Sequence, residues 1–159
     1  MSRLLFVPFL SIVVPAVAGA KPWHGLRPGV ATAADVVQKF GEPTKRLTAK
    51  GQEVLVYSAP GAISGTVQAQ FKTNATTHRL ERIDVYPAPV LTADAIEKAY
   101  GPACDPLKVV EPCYVRKATA SRRAYFLYSK LGLAIFFRDD GKTVQSFAFL
   151  PDASGAVEP

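Results

Sequence analysis

The sequence predicts an α+β fold of two tandem repeats, each a short helix followed by a three-stranded antiparallel meander, with both helices packed on one sheet face and the other face open. Three observations carry this. The stretch "TAADVVQKFGEPTKRL", from Thr32, is written again as "TADAIEKAYGPACDPL", from Thr92. Each copy is followed by three runs rich in β-branched and aromatic residues. Polar turn signals separate the runs.

In "ADVVQKFGEP" and "ADAIEKAYGP" apolar residues recur at helical spacing, as Val36, Val37 and Phe40 and then as Ala95, Ile96, Ala99 and Tyr100. A preceding Thr caps each helix. Asp35 and Asp94 suit the positive end of the helix dipole, Lys39 and Lys98 the other end, and Gly followed by Pro stops each segment. An alignment with one extra residue in the second copy sets Asp35 over Asp94 and Lys39 over Lys98.

The strand candidates are "EVLVYSA", "GTVQAQFKT" and "RLERIDVYP", then "RAYFLYS", "LGLAIFFRD" and "TVQSFAFLP". "LVYS" over "FLYS" aligns Tyr57 with Tyr128, and "IDVYP" over "FAFLP" aligns Val85 with Phe149. "TNATTH" reads as a hairpin tip, and "DDGKT" carries the Asp-Gly hairpin signal. One helix and three strands bury too little to stand alone, so the two units are expected to join edge to edge or side by side over one core.

Alternation assigns the faces. Val67, Ala69, Phe71, Ile83 and Val85, with Leu133, Ile135, Phe137, Phe147 and Phe149, point to the helices. The open face receives Lys72, Arg82, Asp84 and Tyr86 from the first copy and Ala134, Phe136, Arg138, Ala148 and Leu150 from the second. An apolar patch rimmed by charge has the make-up of a protein-binding surface. The candidate partner-binding residues are therefore Lys72, Arg82, Asp84, Tyr86, Ala134, Phe136, Arg138 and Leu150. In the competing arrangement the C-terminal tail or the "CDPLKVVEPC" loop folds over the patch and makes its apolar members core.

The chain divides into a signal peptide (1–20), a first repeat (21–89), a second repeat (90–151) and a flexible tail (152–159). "MSRLLFVPFLSIVVPAVAGA" has a basic start, an apolar run and a small-residue cleavage site after Ala20. The alternative, an uncleaved anchor, is opposed by the shortness of the run and by Pro8 and Pro15. No Cys follows the run to take a lipid, so the exported protein is expected to have no stable membrane anchor after cleavage and to reside in the periplasm or outside the cell. Disorder is expected only in "KPWHG" and "PDASGAVEP".

The formal charge is +6, and removal of Arg3 with the signal peptide leaves +5. Basic residues are scattered, with small groups at Lys45-Arg46, Arg116-Lys117 and Arg122-Arg123. That is too thin for a nucleic-acid footprint. Cys104 and Cys113, with Pro106 and Pro112 between them, are expected to form a disulfide in an oxidising compartment. With only His24 and His78 elsewhere they make no metal-ligand set, and no cofactor motif is present.

Catalysis needs convergent groups that the sequence does not supply. No Ser sits in a G-x-S-x-G elbow, "GAISG" lacks the Lys of a phosphate loop, and Asp139-Asp140 belongs to a turn. No catalytic residue is named, and the chain is not expected to be an enzyme.

The segment "LRPGVATAADVVQKFGEPTKRLTAKGQEVLVYS" resembles the small outer-membrane assembly lipoproteins of the SmpA/OmlA type and the β-lactamase inhibitory protein fold, through Gly29, Thr32, Asp35, Val36, Gly41, Pro43 and Tyr57. The resemblance implies an inhibitor-like or scaffold-like binding protein with tandem helix-plus-sheet units. It departs from the lipoproteins in lacking their lipobox Cys. The expected function is an exported, non-catalytic module that binds another exported or envelope protein through its open sheet face, as an inhibitor or an envelope-assembly accessory. The alternative is a carrier of a small apolar ligand, in a pocket between the repeats lined by Phe136, Phe147 and Phe149.

Overall fold

A computed structural model describes residues 20–151 apart from Val109; the expected signal peptide, save its last residue, and the expected tail lie outside the described residues. The chain runs α1 (Ala33–Phe40), β1 (Lys45–Ala49), β2 (Gln52–Tyr57), β3 (Thr66–Asn74), β4 (Leu80–Pro87), α2 (Ala93–Tyr100), β5 (Val115–Ala118), β6 (Ala124–Tyr128), β7 (Leu133–Phe137) and β8 (Val144–Phe149). All eight strands form one open antiparallel sheet in the order β1-β2-β3-β4-β8-β7-β6-β5. The class is α+β, and β4 and β8 meet at the middle of the sheet.

Both helices are eight residues long, between a capping Thr and a terminating Gly. Thr32 and Asp35 form a reciprocal capping box, the Asp35 amide donating to Thr32 Oγ1 at 3.3 Å and the Thr32 amide to Asp35 Oδ2 at 2.8 Å. Thr92 accepts only from the Ala95 amide, at 3.3 Å. The equal lengths correct the alignment read from sequence: Val36 and Ile96 are the buried residues at the same helical position, whereas Asp35 is third in its helix and Asp94 second.

Four strands, not three, follow each helix. The additional ones are β1, "KRLTA", and β5, "VRKA", which form the two edges of the sheet and are exposed at every position. Strands without a buried side carry no apolar alternation, and their Lys and Arg are what edge strands use to resist further pairing. The signal that located the other six strands was therefore absent from these two.

Val36 and Ile96 lead the apolar faces of the helices onto the sheet, where Leu55, Phe71, Ile83, Leu133, Ile135 and Phe137 are fully buried. Val67 does not join them and stands 60% exposed, because the β3–β4 register shifts between Thr66 and Gln68 and turns its side chain outward. The segment "KPWHG", expected to be disordered, is instead packed. Trp23 packs against α1 and the sheet, with ring centroids 5.9 Å from Phe40, 5.8 Å from Phe71 and 6.3 Å from Phe149. Lys21 adds a cation over the Tyr100 ring at 4.4 Å. Two strand hydroxyls close the helix ends: Tyr57 donates to the Gly41 carbonyl at 2.7 Å and Tyr128 to the Gly101 carbonyl at 2.9 Å.

Cys104 and Cys113 are joined, as the spacing predicted. The loop they close is anchored on the helical face. Tyr114 stacks on Phe126 with centroids 3.7 Å apart and donates its hydroxyl to Glu97 of α2 at 2.6 Å. Burial and that carboxylate push the Tyr114 phenol up to about 12. This attachment takes the base of the loop away from the opposite sheet face.

Candidate functional site

The face away from the helices is organised by one continuous register. Lys45, Val56, Gln70, Asp84, Ala148, Ala134, Leu127 and Val115 stand opposite one another, one from each strand, from edge to edge. The row is polar or charged at three of its four positions in the β1–β4 half and apolar throughout the other half. Among the described residues no helix covers this face.

At the middle of the row Asp84 is only 4% exposed. Its carboxylate accepts from Arg82 Nε at 2.8 Å and from Lys72 Nζ at 3.1 Å. Lys72 and Arg82 face each other across β3 and β4, so the pairing register itself places both cations beside the acid. The Arg82 guanidinium also lies 5.8 Å from the centre of the Phe136 ring. Together these residues border a cleft of about 220 Å³ that Tyr86, Thr119, Ser121, Arg123, Gln145 and Ser146 complete. Burial, reinforced by the Asp84 charge, pushes the Tyr86 phenol above its ordinary value.

Five of the eight residues singled out in the sequence, Lys72, Arg82, Asp84, Tyr86 and Phe136, thus meet in one cleft. Arg138 borders a neighbouring and wider depression of about 540 Å³ that shares Tyr86, Arg123 and Gln145 with the first. Ala134 and Leu150 lie outside both, in a cluster with Tyr125, Leu127, Phe136 and Ala148. The expectation that this apolar cluster stands in water is corrected: Phe136 is 8% exposed and its neighbours are buried too. Phe136 stacks on Tyr125 from the adjacent strand, with ring centroids 5.0 Å apart.

Sequence reasoning missed Thr119, Ser121 and Arg123, which come from the turn between β5 and β6. Arg123 reaches Gln145 Oε1 at 3.4 Å and Asp139 Oδ1 at 3.8 Å. The pair Arg122-Arg123 was visible in the sequence, but its place in the cleft depends on β5, the strand that left no pattern.

On the helical side a separate cleft of about 200 Å³ is bordered by Trp23, Tyr100, Phe147 and Phe149, among others. Phe136 is on the opposite face, so a single pocket lined by Phe136, Phe147 and Phe149 does not form. Among the described residues no three His, Cys, Asp or Glu side chains converge to hold a metal ion, and no helix is long and apolar enough to cross a membrane.

No family profile matches the chain, and no curated protein aligns with it significantly. Among solved structures, a DUF4309 family protein (YjgB) from Bacillus subtilis subsp. subtilis str. 168 is similar at 18% identity and a TM-score of 0.54, covering 80% of this chain and 83% of that one. An extracellular protein containing a SCP domain from Bacillus anthracis str. Ames matches at 12% identity and a TM-score of 0.48, over 97% of this chain and 51% of that one. A cysteine-rich secretory protein from Staphylococcus aureus subsp. aureus Mu50 matches at 10% identity and 0.38, over 83% and 47%. The first likeness is one of fold.

These findings overturn the resemblance to SmpA/OmlA-type lipoproteins and the β-lactamase inhibitory protein. The structural likeness is to a DUF4309 protein, and no family profile supports the motif. The physical reason lies in the matched residues. Thr32, Asp35, Val36 and Gly41 are the cap, the capping-box acid, the buried residue and the terminator of a short helix, a set that any such helix can carry.

Proposed function

We propose that this chain is an exported, non-catalytic module that binds another exported or envelope protein through the sheet face opposite its helices. Lys72, Arg82, Asp84, Tyr86 and Arg138 make the polar contacts, and the buried Ala134, Phe136 and Leu150 support them from beside. The observation that carries this reading is the charged cluster at the centre of that face. A buried ion-pair group is a poor device for stability, since well-packed apolar residues serve a sheet as well or better. The second half of the same row, with Ala148 and Ala134, does so. Charges retained at the centre of the face are better accounted for by recognition.

The Cys104–Cys113 disulfide supports export, because such bonds persist in oxidising compartments. Support for two duplicated units comes from the matched helix lengths, the central β4–β8 join and the two hydroxyl bonds, Tyr57 to Gly41 and Tyr128 to Gly101. The carrier reading is less well supported. The cleft beside Phe147 and Phe149 lies on the helical side, away from Phe136, so the residues that reading joins in one pocket are divided between two faces.

The test is photo-crosslinking in cells that make the protein, with benzoylphenylalanine at Tyr86 or, on the exposed side of α2, at Ala95. A discrete protein adduct from position 86 and none from 95 is expected. Adducts from 95 alone would remove the sheet face from the function.

A further inference from the structure

We propose that the cleft at the centre of the helix-free face is a binding site for a carboxylate carried on an apolar or aromatic body. The charge balance comes first. Lys72, Arg82 and Arg123 border the cleft with Asp84, and Asp139 lies 3.8 Å from Arg123, so three positive charges meet two negative ones and one cation is in excess. Lys72 has three N–H donors, of which Asp84 takes one at 3.1 Å. Among the described residues the Arg123 guanidinium makes only long contacts, 3.4 Å to Gln145 and 3.8 Å to Asp139, and its planar shape suits a carboxylate bidentately.

The remaining walls select the rest of the ligand. The Phe136 ring offers an apolar surface, and Ser146 lines the cleft beside it. A phosphate dianion would bring a second negative charge next to Asp84, whereas a monoanion matches the excess of one cation. The volume of about 220 Å³ accommodates a carboxylate with one ring or a short chain. The assignment stands on the cleft and does not need the docking reading. A free organic acid and an Asp or Glu side chain of a partner present the same group.

The experiment is a titration of isotope-labelled protein with benzoate, followed by amide NMR. Saturable shifts are expected at Lys72, Arg123 and Ser146. Lys72→Met and Arg123→Gln should each weaken binding about tenfold, the loss of one charge-assisted hydrogen bond. Arg123 is exposed, so its variant folds even if Lys72→Met does not. In a second arm, the peptide acetyl-Glu-Phe-amide binding more tightly than benzoate assigns the site to a partner's side chain; benzoate binding as tightly or more tightly assigns it to a free acid. Absence of saturable shifts, affinities unchanged in the variants, or phosphate binding more tightly than benzoate would overturn the proposal.

Discussion

Asp84 of β4 stands opposite Ala148 of β8 at the join of the two halves of the sheet, a buried carboxylate facing a methyl group. The contrast continues outward, with Lys72 and Arg82 on one side and Phe136 and Ser146 paired on the other. The same backbone position in two halves of one sheet is thus polar in one and nearly apolar in the other. That asymmetry makes one part of the face chemically distinct without altering the pairing.

Removing the acid leaves two cations facing one another. Asp84→Ala is expected to destabilise the fold by about 2 to 4 kcal/mol, since an ion-pair partner is lost from a largely buried site. Urea denaturation measures it. A loss below about 0.5 kcal/mol would mean that water already solvates the cluster.

Phe136→Ala is expected to cost about 3 to 5 kcal/mol, because the ring is buried against Tyr125 and its removal leaves a cavity. Thermal melting gives the value. A change under about 1 kcal/mol would show the ring standing in water, as the alternation alone suggested.

Gly41 and Gly101 both end helices with positive φ, 76° and 106°. A side chain at 41 meets open space, while one at 101 would overlap the Pro112 carbonyl oxygen in the disulfide loop. Gly41→Ala is therefore expected to lose about 1 to 3 kcal/mol from backbone strain, and Gly101→Ala clearly more. Equal melting temperatures would place the loop away from α2.

Two groups give pH signatures of opposite sign. The Asp140 carboxyl is held down at about 2, mainly by the Thr143 hydroxyl and then by the Thr143 and Lys142 amides. Its support of the turn is present above the ordinary carboxylate value and is lost as pH falls through about 2. Carboxyl NMR should show that midpoint, and Thr143→Ala should raise it. Tyr114, raised to about 12 chiefly by burial, favours the neutral phenol, so its contribution holds below about 10 and fades as pH rises toward 12. Ultraviolet titration of Tyr114→Phe beside the parent chain should lose a late step, not an early one.

Much of the fold was legible because six strands and two helices each have at least one buried side, and burial leaves a period or, as in β7, an unbroken apolar run in the sequence. β1 and β5 have none and left no trace. Trp23 was hidden for another reason: a lone aromatic in "KPWHG" has no period, and its place between Phe40, Phe71 and Phe149 is set by the tertiary fold. Within the site, alternation assigned Lys72, Arg82, Asp84 and Phe136 to one face. It could not reveal that Phe136 is covered or that Arg123 arrives from the turn after β5. Val67 shows the limit most plainly, since one register shift reversed its face.

The measurement that bears most directly on the helix-free face as the docking surface is the affinity of the crosslinked partner, once purified, for three variants of the chain. Arg138→Glu and Tyr86→Ala alter that face at exposed or half-buried positions, and Ala95→Glu alters the exposed side of α2. Calorimetry should find binding weakened about tenfold or more by the first two, as removal of central interface contacts does, and changed less than about twofold by the third. Binding lost with Ala95→Glu and kept with Arg138→Glu and Tyr86→Ala would contradict the account.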